Sequence, residues 1–302
     1  MKNKKMYYIH CLSPLHVGTG QGVGVVDMPI IRERITEWPF VPGSSIKGVH
    51  REYFASKQSE QWLEAAFGTS PNEAGNAGSL VLSDSKLLAF PVASRYGTFA
   101  YVTCPLAIKR MIRDAAAVGI PIPDVNLHQW EQVLKNRNEA DDESAFITSS
   151  SVLACKEYIY LDEFKCKKEQ DASAALDTWV DWLSGQLFSD EMSQRIFTER
   201  FVLVSDDAFQ YFVTMCCEIM TRIRISSDAK IVESGALWTE EYLPVESILY
   251  GTIWCDKIHS SSEAITAQSL MKALSGESSL QIGGNISVGK GRVRCRYIEE
   301  DC

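Results

Sequence analysis

The sequence predicts an α+β fold, and three stretches carry that reading. Met6 to Leu12 (MYYIHCL) is rich in aromatic and β-branched residues and has the composition of an opening strand. Downstream, WPFVPGSSIKGVHREYFASK places Ile46, Val49, Tyr53 and Phe54 at helical spacing. Near the other end, SLQIGGNISVGKGRVRCRYIEE reads as two short strands around a glycine-rich loop. The 302 residues suffice for one large domain or two modest ones with a substantial core. A content of 45% hydrophobic and 23% charged residues is ordinary for a globular protein.

Taken in order, the opening strand leads into HVGTGQGVGVVDMPII, where glycine occupies every second position from Gly18 to Gly24. Pro29 to Ile35 (PIIRERI) alternates as a short strand would. Ser44 or Ser45, following Pro-Gly, is the expected N-cap of the first helix. Asn72 to Ser79 signals a loop, and apolar LVLSDSKLLAFPV follows it. Asp124 to Lys135 and Ala174 to Phe201 read as helices with polar, acidic sequence between them, so the middle third looks inserted. Asp206 to Ile219 is a further apolar helix candidate, and Arg222 to Val232 reads as a hairpin around Ser226, Ser227 and Asp228.

Composition narrows the class. The N-terminus starts basic, but no apolar run of signal-peptide length follows, and no window approaches the roughly 20 apolar residues of a membrane span. A cytoplasmic, membrane-free protein is expected. Nine cysteines show no C-x-x-C pair and no cysteine–histidine cluster at zinc spacing, which suggests reduced core thiols. A net charge of −9 argues against a uniformly positive, nucleic-acid-coating surface, though it leaves room for a local basic groove.

The opening glycines fail two nucleotide-binding patterns. A Walker loop needs Gly-Lys-Ser/Thr opening a helix, and a dinucleotide fingerprint needs a helix at its last glycine. Here VVDMP follows Gly24, and Pro29 stands where the helix would have to grow. What remains is a mobile surface loop, or a backbone that lets a ligand lie close where no Cβ intervenes. Asp27 by itself reads as an Asx-turn before Met28-Pro29 ahead of a working carboxylate. His16 could act as a general base or phosphate donor, or simply pack. Lys47, in the first turn of a helix, suits a phosphate or plain solvent. The closing strand speaks more clearly. Lys290, Arg292, Arg294 and Arg296 fall on alternate residues, which puts them on one face of a strand, and no acid interrupts Gln281 to Tyr297. Such a stripe beside a glycine-rich loop suits an RNA backbone, or a solvated face with salt partners.

Five segments together resemble one known family. They are LHVGTGQGVGVVDMPIIRE, WPFVPGSSIKGVHRE, GSLVLSDSKLLAFPV with GTFAYVTCP, GALWTEEYLP and LQIGGNISVGKGRV, running in order from about residue 7 to about 297. The chain resembles the RAMP superfamily, and within it the repeated backbone subunit of type III-B CRISPR Cmr effector complexes, the fourth Cmr subunit. The resemblance implies a single domain over 1–302 with a ferredoxin-like (RRM-like) palm. It also implies an inserted helical fingers region at about 112–200 and a β-hairpin thumb at about 220–245. Expected partners are CRISPR RNA, target single-stranded RNA, further copies of the chain in a filament, and other Cmr subunits.

The resemblance further implies an endoribonuclease that cuts paired target RNA at regular intervals with Mg²⁺ or Mn²⁺, in antiviral defence. Asp27 corresponds to the catalytic aspartate and metal ligand, with His16, Glu240 and Tyr242 as further catalytic positions. RNA binding falls to Lys47, Ser44, Ser45, Gly18, Gly20 and Gly22 near the start. Towards the end it falls to Gly283, Gly284, Gly289, Lys290, Gly291, Arg292 and Arg294. In PVASRYGTFAYV the family places an arginine directly after PV, where this chain has Ala93, with Arg95 two positions on. Two other roles fit the superfamily: a non-catalytic architectural CRISPR RNA-binding subunit, or an endoribonuclease that processes precursor CRISPR RNA without metal.

Overall fold

The computed structural model describes residues 3–20, 22, 24–69, 77–135, 143–169, 173–225, 232–259 and 265–298. The chain opens with β1 (Lys4–Cys11), whose residues are buried on both faces. Tyr7, Ile9 and Cys11 join one apolar cluster while Met6 and Tyr8 join the other. That explains an opening run that is apolar throughout rather than alternating: a strand covered on both sides has no solvent face to mark.

After the glycine loop come β2 (Phe40–Val41), α1 (Gly43–Ala55), α2 (Glu60–Phe67), β3 (Val81–Leu82) and β4 (Ser85–Ala93). Pro29 to Ile35 forms no strand and is held by isolated bridges, Gly18 to Ile30 and Arg32 to Pro39, because the chain turns at Glu37 with φ of 59°. Helix α1 also begins earlier than its serines suggest. Pro42 is the N-cap, its carbonyl accepts the Ser45 and Ile46 N–H groups, and the Asp84 carboxylate accepts the Gly43 N–H at 2.8 Å. A carboxylate from another loop thereby takes the capping role expected of Ser44 or Ser45.

The middle comprises β5 (Phe99–Thr103), α3 (Pro105–Val118), α4 (Leu127–Lys135), β6 (Glu143–Ile147), β7 (Ala154–Cys155), β8 (Tyr158–Leu161) and β9 (Phe164–Lys168). Next are α5 (Ser173–Leu187), α6 (Glu191–Arg200), β10 (Phe201–Leu203) and α7 (Asp206–Met215). Among its described residues the interval 112–200 thus carries four strands as well as helices. The long helix expected over Ala174 to Phe201 is two helices, broken where the Asp190 carboxylate accepts the Ser193 N–H and caps α6. The chain then forms β11 (Glu218–Ile225), β12 (Val232–Tyr242), β13 (Ile248–Trp254), α8 (Ala267–Ala273), β14 (Glu277–Gln281) and β15 (Arg292–Tyr297). The hairpin expected around Ser226, Ser227 and Asp228 is present as β11 and β12, and those three residues lie outside the described ones.

Among the described residues thirteen strands form one mixed sheet, ordered β14-β15-β1-β13-β4-β5-β10-β6-β9-β8-β7 along its path. β2 and β3 pair at β4 and β13. Along β15, β1, β13 and β4 each strand is antiparallel to the next, whereas β10 with β5 and β6 with β9 are parallel. The two apolar clusters cover its opposite faces, and β11–β12 projects as a separate two-stranded ribbon. Five described cysteines, Cys11, Cys104, Cys166, Cys255 and Cys295, are buried and unbridged, as a reduced core requires. No helix among the described residues is long and apolar enough to cross a membrane.

Candidate functional site

Strand β12 organises the site, because the segment that follows the glycine run lies along its free edge. Met28 bridges Glu240 in parallel register, with the Met28 N–H donating to the Thr239 carbonyl at 3.0 Å. This sets Asp27 beside Thr239. The Asp27 N–H donates to Thr239 Oγ1 at 3.0 Å, while Thr239 returns its own N–H (2.8 Å) and hydroxyl (2.9 Å) to Asp27 Oδ2. Among the described residues Oδ1 has no partner, and Asp27 is exposed. The Thr239 N–H and hydroxyl hold the Asp27 carboxyl below the usual carboxylate range, since both donors favour the ionised form. The result is an ionised carboxylate with one oxygen locked and the other offered to solvent. Isolated in the sequence, Asp27 gave no sign of this, because the residue that chiefly holds its carboxylate, Thr239, is 212 residues away.

Thr239 and Glu240 are consecutive on a strand, so their side chains take opposite faces. Ile219, Ile223 and Leu237 share the Thr239 face of the ribbon, all well exposed. The other face holds a buried polar network. Glu240 accepts Trp238 Nε1 at 2.8 Å, Asn285 Nδ2 at 2.9 Å and the Tyr242 hydroxyl, with Arg222 Nε 3.9 Å away. Burial works to raise the Glu240 pKa, and the Tyr242 and Trp238 donors outweigh it, so the net direction is down. Burial, and then the adjacent Glu240, push the Tyr242 phenol up to about 12, which keeps it a donor at neutral pH. Asn285 Nδ2 also donates to the Tyr242 hydroxyl at 2.9 Å, and the Lys290 ammonium lies 4.8 Å from the Tyr242 ring centre.

His16 belongs to this second face. Its Nδ1 is 2.7 Å from the Glu241 carbonyl, which can only accept, so Nδ1 carries the proton and Nε2 is left turned towards Gly18. Its ring sits 5.4 Å from that of Tyr242. The His16 carbonyl accepts the Gly284 N–H at 2.8 Å, and a Cβ on Gly283 would stand 2.2 Å from that same oxygen. Gly283 is therefore required by the close crossing of the two glycine-rich loops, at φ of +81°. Glu241, pointing the other way, clamps the first loop. Its carboxylate accepts the Ile30 N–H at 3.0 Å and the Arg32 guanidinium, which also donates to the Val213 and Glu37 carbonyls.

The sequence candidates thus divide. His16, Glu240, Tyr242 and Lys290 come together, with Asp27 on the opposite face of β12. Gly18, Gly20 and Gly22 belong to the loop that carries Asp27, and the Gly22 N–H donates to the Asp27 carbonyl at 2.8 Å. Ser44, exposed, and Ser45 lie in the first turn of α1 beside Lys47, a half-buried lysine whose pKa is lowered by burial and then by Arg51. Gly289 and Gly291 flank Lys290 in left-handed turns. On β15 the cations do alternate with buried Val293, Cys295 and Tyr297, with Arg292 exposed. Arg294, however, faces Asp190 at 3.4 Å and Glu277 at 3.7 Å. Among the described residues no three His, Cys, Asp or Glu side chains are grouped to hold a metal. Thr239, Asn285, Trp238, Arg32 and Glu241 are the residues that sequence reading missed. Period-two alternation through TEEY was the available signal, since it sends neighbouring carboxylates to opposite faces.

The RAMP superfamily model matches residues 8–294. The chain is 33% identical over 290 residues to the CRISPR system Cmr endoribonuclease Cmr4 of Pyrococcus furiosus, covering 95% of this chain and 92% of that protein. It is 23% identical over 310 residues to the CMR subunit Cmr4 of Saccharolobus solfataricus, covering 98% and 97%. The crystal structure of oligomeric Cmr4 from Pyrococcus furiosus superposes with a TM-score of 0.71 and 28% identity over 99% of both chains. A chain in a type III-B Cmr-β complex bound to cognate target RNA matches in fold, with a TM-score of 0.69 at 20% identity over 97% of this chain and 96% of that one.

Proposed function

Because the chain belongs to the RAMP superfamily, we propose that it is a backbone subunit of a type III-B CRISPR interference complex. In that role it binds CRISPR RNA as a repeated filament beside other Cmr subunits and cleaves complementary single-stranded RNA at regular intervals. The antiparallel order β15-β1-β13-β4, with α1 following β1 and α8 following β13, supports a ferredoxin-like palm. In the same reading, β11–β12 is the thumb and the region near 112–200 the fingers of a single domain.

One observation carries the catalytic part: Asp27 is exposed, ionised and fixed by Thr239 with one oxygen free. The exposed Ile219, Ile223 and Leu237 on the same face give an apolar wedge beside it, suited to parting stacked bases and turning one nucleotide towards in-line geometry. The target's 2′-oxygen then attacks the adjacent 3′-phosphorus, the P–O5′ bond breaks, the departing oxygen takes a proton from water, and a cyclic phosphate and a 5′-hydroxyl remain. Asp27 takes the 2′-hydroxyl proton, or would hold a divalent cation while that proton passes to water. One free carboxylate oxygen fits Mg²⁺ or Mn²⁺ only where RNA phosphate and water complete the oxygen shell. Such an ion would supply electrostatic stabilisation of the charge that develops on the phosphate. Glu240, Tyr242 and His16, on the far face, act through β12: with Asn285 they fix the strand that presents Thr239.

The test is a complex assembled on a guide and given end-labelled complementary RNA. With Mg²⁺ the products are evenly spaced and end in cyclic phosphate and 5′-hydroxyl, and excess EDTA abolishes them. Cutting that persists in EDTA would favour the precursor-processing role. Target held without any cutting would favour the architectural one.

The Thr239 hydroxyl makes a narrower prediction. Thr239→Val keeps shape and backbone but removes both the hydroxyl donor to Oδ2 and the oxygen that accepts the Asp27 N–H, so kcat falls about tenfold with KM unchanged. Thr239→Ser restores it. Single-turnover rates on the assembled complex provide the comparison.

A further inference from the structure

The backbone pairing that sets Asp27 beside Thr239 is short, and side chains continue it. It begins as a regular parallel bridge: the Met28 N–H donates to the Thr239 carbonyl at 3.0 Å, and the Glu241 N–H donates to the Met28 carbonyl at 3.0 Å. Pro29 has no N–H to give, and the next rung of a parallel ladder would join the Ile30 N–H to the Glu241 carbonyl. That oxygen is taken by His16 Nδ1 at 2.7 Å, and Ile30 donates instead to Glu241 Oε2 at 3.0 Å. A carboxylate therefore stands in for a strand carbonyl.

Arg32 holds that carboxylate in place. Its Nη2 donates to Glu241 Oε1 and to Cys217 Sγ at 3.2 Å, and its Nη1 donates to the Glu37 and Val213 carbonyls at 2.7 and 2.9 Å. The pair is largely withdrawn from solvent, with 20% of the Arg32 side chain and 11% of the Glu241 side chain exposed. Val213 lies in the last turn of α7, where a cation is favoured, and Cys217 directly precedes β11. One planar guanidinium thus joins the Asp27 segment, both strands of the ribbon and the end of α7, in a fork that an ammonium does not reproduce. The loop beyond Arg32 has anchors of its own. Arg110 of α3 donates through both Nη atoms to the Glu33 carboxylate, and Trp38 Nε1 donates to Gln210 of α7 at 2.7 Å. Removing Arg32 therefore leaves the far end of the loop attached and frees the end that lies on β12.

We propose that Arg32 is a positioning residue for RNA cleavage: through Glu241 it fixes the register in which the Asp27 segment lies on β12. The inference rests on the cleavage reading above. Thr239 and Glu241 are alternate residues of one strand and share a face, so the carboxylate that Arg32 holds and the donors that hold Asp27 belong to one edge. A slip of the segment along that edge takes Asp27 Oδ2 away from the Thr239 N–H and hydroxyl. A misplacement of about 1 Å at a reacting group is enough to cost on the order of 100-fold in rate. Target affinity, set by pairing with the guide, is left alone.

The test uses guide-loaded complexes and end-labelled complementary RNA, with each change made both alone and together with Asp27→Asn. Arg32→Gln should lower kcat at least about tenfold with KM unchanged, and Arg32→Lys, which keeps a cation for Glu241, should stay within about threefold of wild type. Glu241→Gln keeps an acceptor for Ile30 and loses the charge that Arg32 grips, so kcat should fall about fivefold; it carries the test if Arg32→Gln does not assemble. Combined with Asp27→Asn, none of these changes should slow the residual cutting further, because Arg32 acts only through Asp27. Hydrogen exchange over residues 27–32 should quicken in Arg32→Gln whether or not Asp27 is altered. Wild-type kcat or unchanged exchange in a folded Arg32→Gln complex would overturn the proposal. So would an equal further loss of rate on top of Asp27→Asn, which would mark general damage rather than positioning. Wild-type cutting by Asp27→Asn alone would overturn the cleavage reading instead, while the exchange measurement would still report whether Arg32 sets the register. Circular dichroism melts of each variant report folding alongside.

Discussion

Complexes built with Asp27→Asn are expected to hold guide and target RNA at wild-type affinity and to cut the target at least about 100-fold more slowly. Asparagine preserves the side-chain shape, and its amide oxygen still accepts from the N–H and hydroxyl of Thr239, so the loop keeps its place. What disappears is the negative charge on the free oxygen, and with it both chemical roles, proton acceptor and cation ligand. Affinity should not suffer, because a carboxylate facing phosphates contributes repulsion rather than attraction. Gel-shift affinities beside single-turnover cleavage rates read both halves. A parallel loss of binding and cutting would instead make Asp27 a structural turn residue.

The largest effect on stability is expected at Gly291. Its φ of +75° is unfavourable for any side chain, and a Cβ there would stand 2.0 Å from the Ile282 carbonyl oxygen. That oxygen is backbone and cannot rotate away. Gly291 is also tied on both sides: its N–H donates to Pro14 at 2.9 Å, and its carbonyl accepts the Ile282 N–H at 2.8 Å. Gly291→Ala should therefore cost about 3 kcal/mol or more, lower the melting temperature by several degrees and loosen the loop that carries Asn285 and Lys290. Gly289→Ala is the control. Its φ is +80° but nothing lies within 4 Å of its Cβ position, so only the conformational cost of about 1 kcal/mol applies. Thermal melts of the two variants should separate clearly. Equal melting temperatures would show that the Ile282 crossing is not rigid.

Much of the architecture was legible where local chemistry decides it. The strand character of Met6 to Leu12, the helix through Ile46 and Phe54, and the one-sided cations of Arg292 to Arg296 follow directly from residue pattern. Legibility stopped where distant segments compete. Ser44 and Ser45 have the right chemistry for a cap, yet Asp84, close by in space and 41 residues from Gly43, reaches the N–H first. Arg294 belongs to a basic stripe in sequence and to Asp190 and Glu277 in space. Asp27 was the hardest to judge, since nothing within ten residues distinguishes a turn aspartate from a working one. Its meaning comes from Thr239, brought alongside by β12. The same strand sends Glu240 away from it, a separation that follows from counting residues on a strand once the register is known.

The central claim is that this chain cuts target RNA through Asp27, one cut for each copy. Assemblies made from wild-type and Asp27→Ala chains mixed at known ratios, on one guide with end-labelled complementary RNA and Mg²⁺, test it most directly. Cleavage at every regular position should fall in proportion to the share of the altered chain and vanish when that share is complete, with assembly and RNA binding unchanged. Undiminished cutting by an intact assembly made wholly of Asp27→Ala chains would contradict the account.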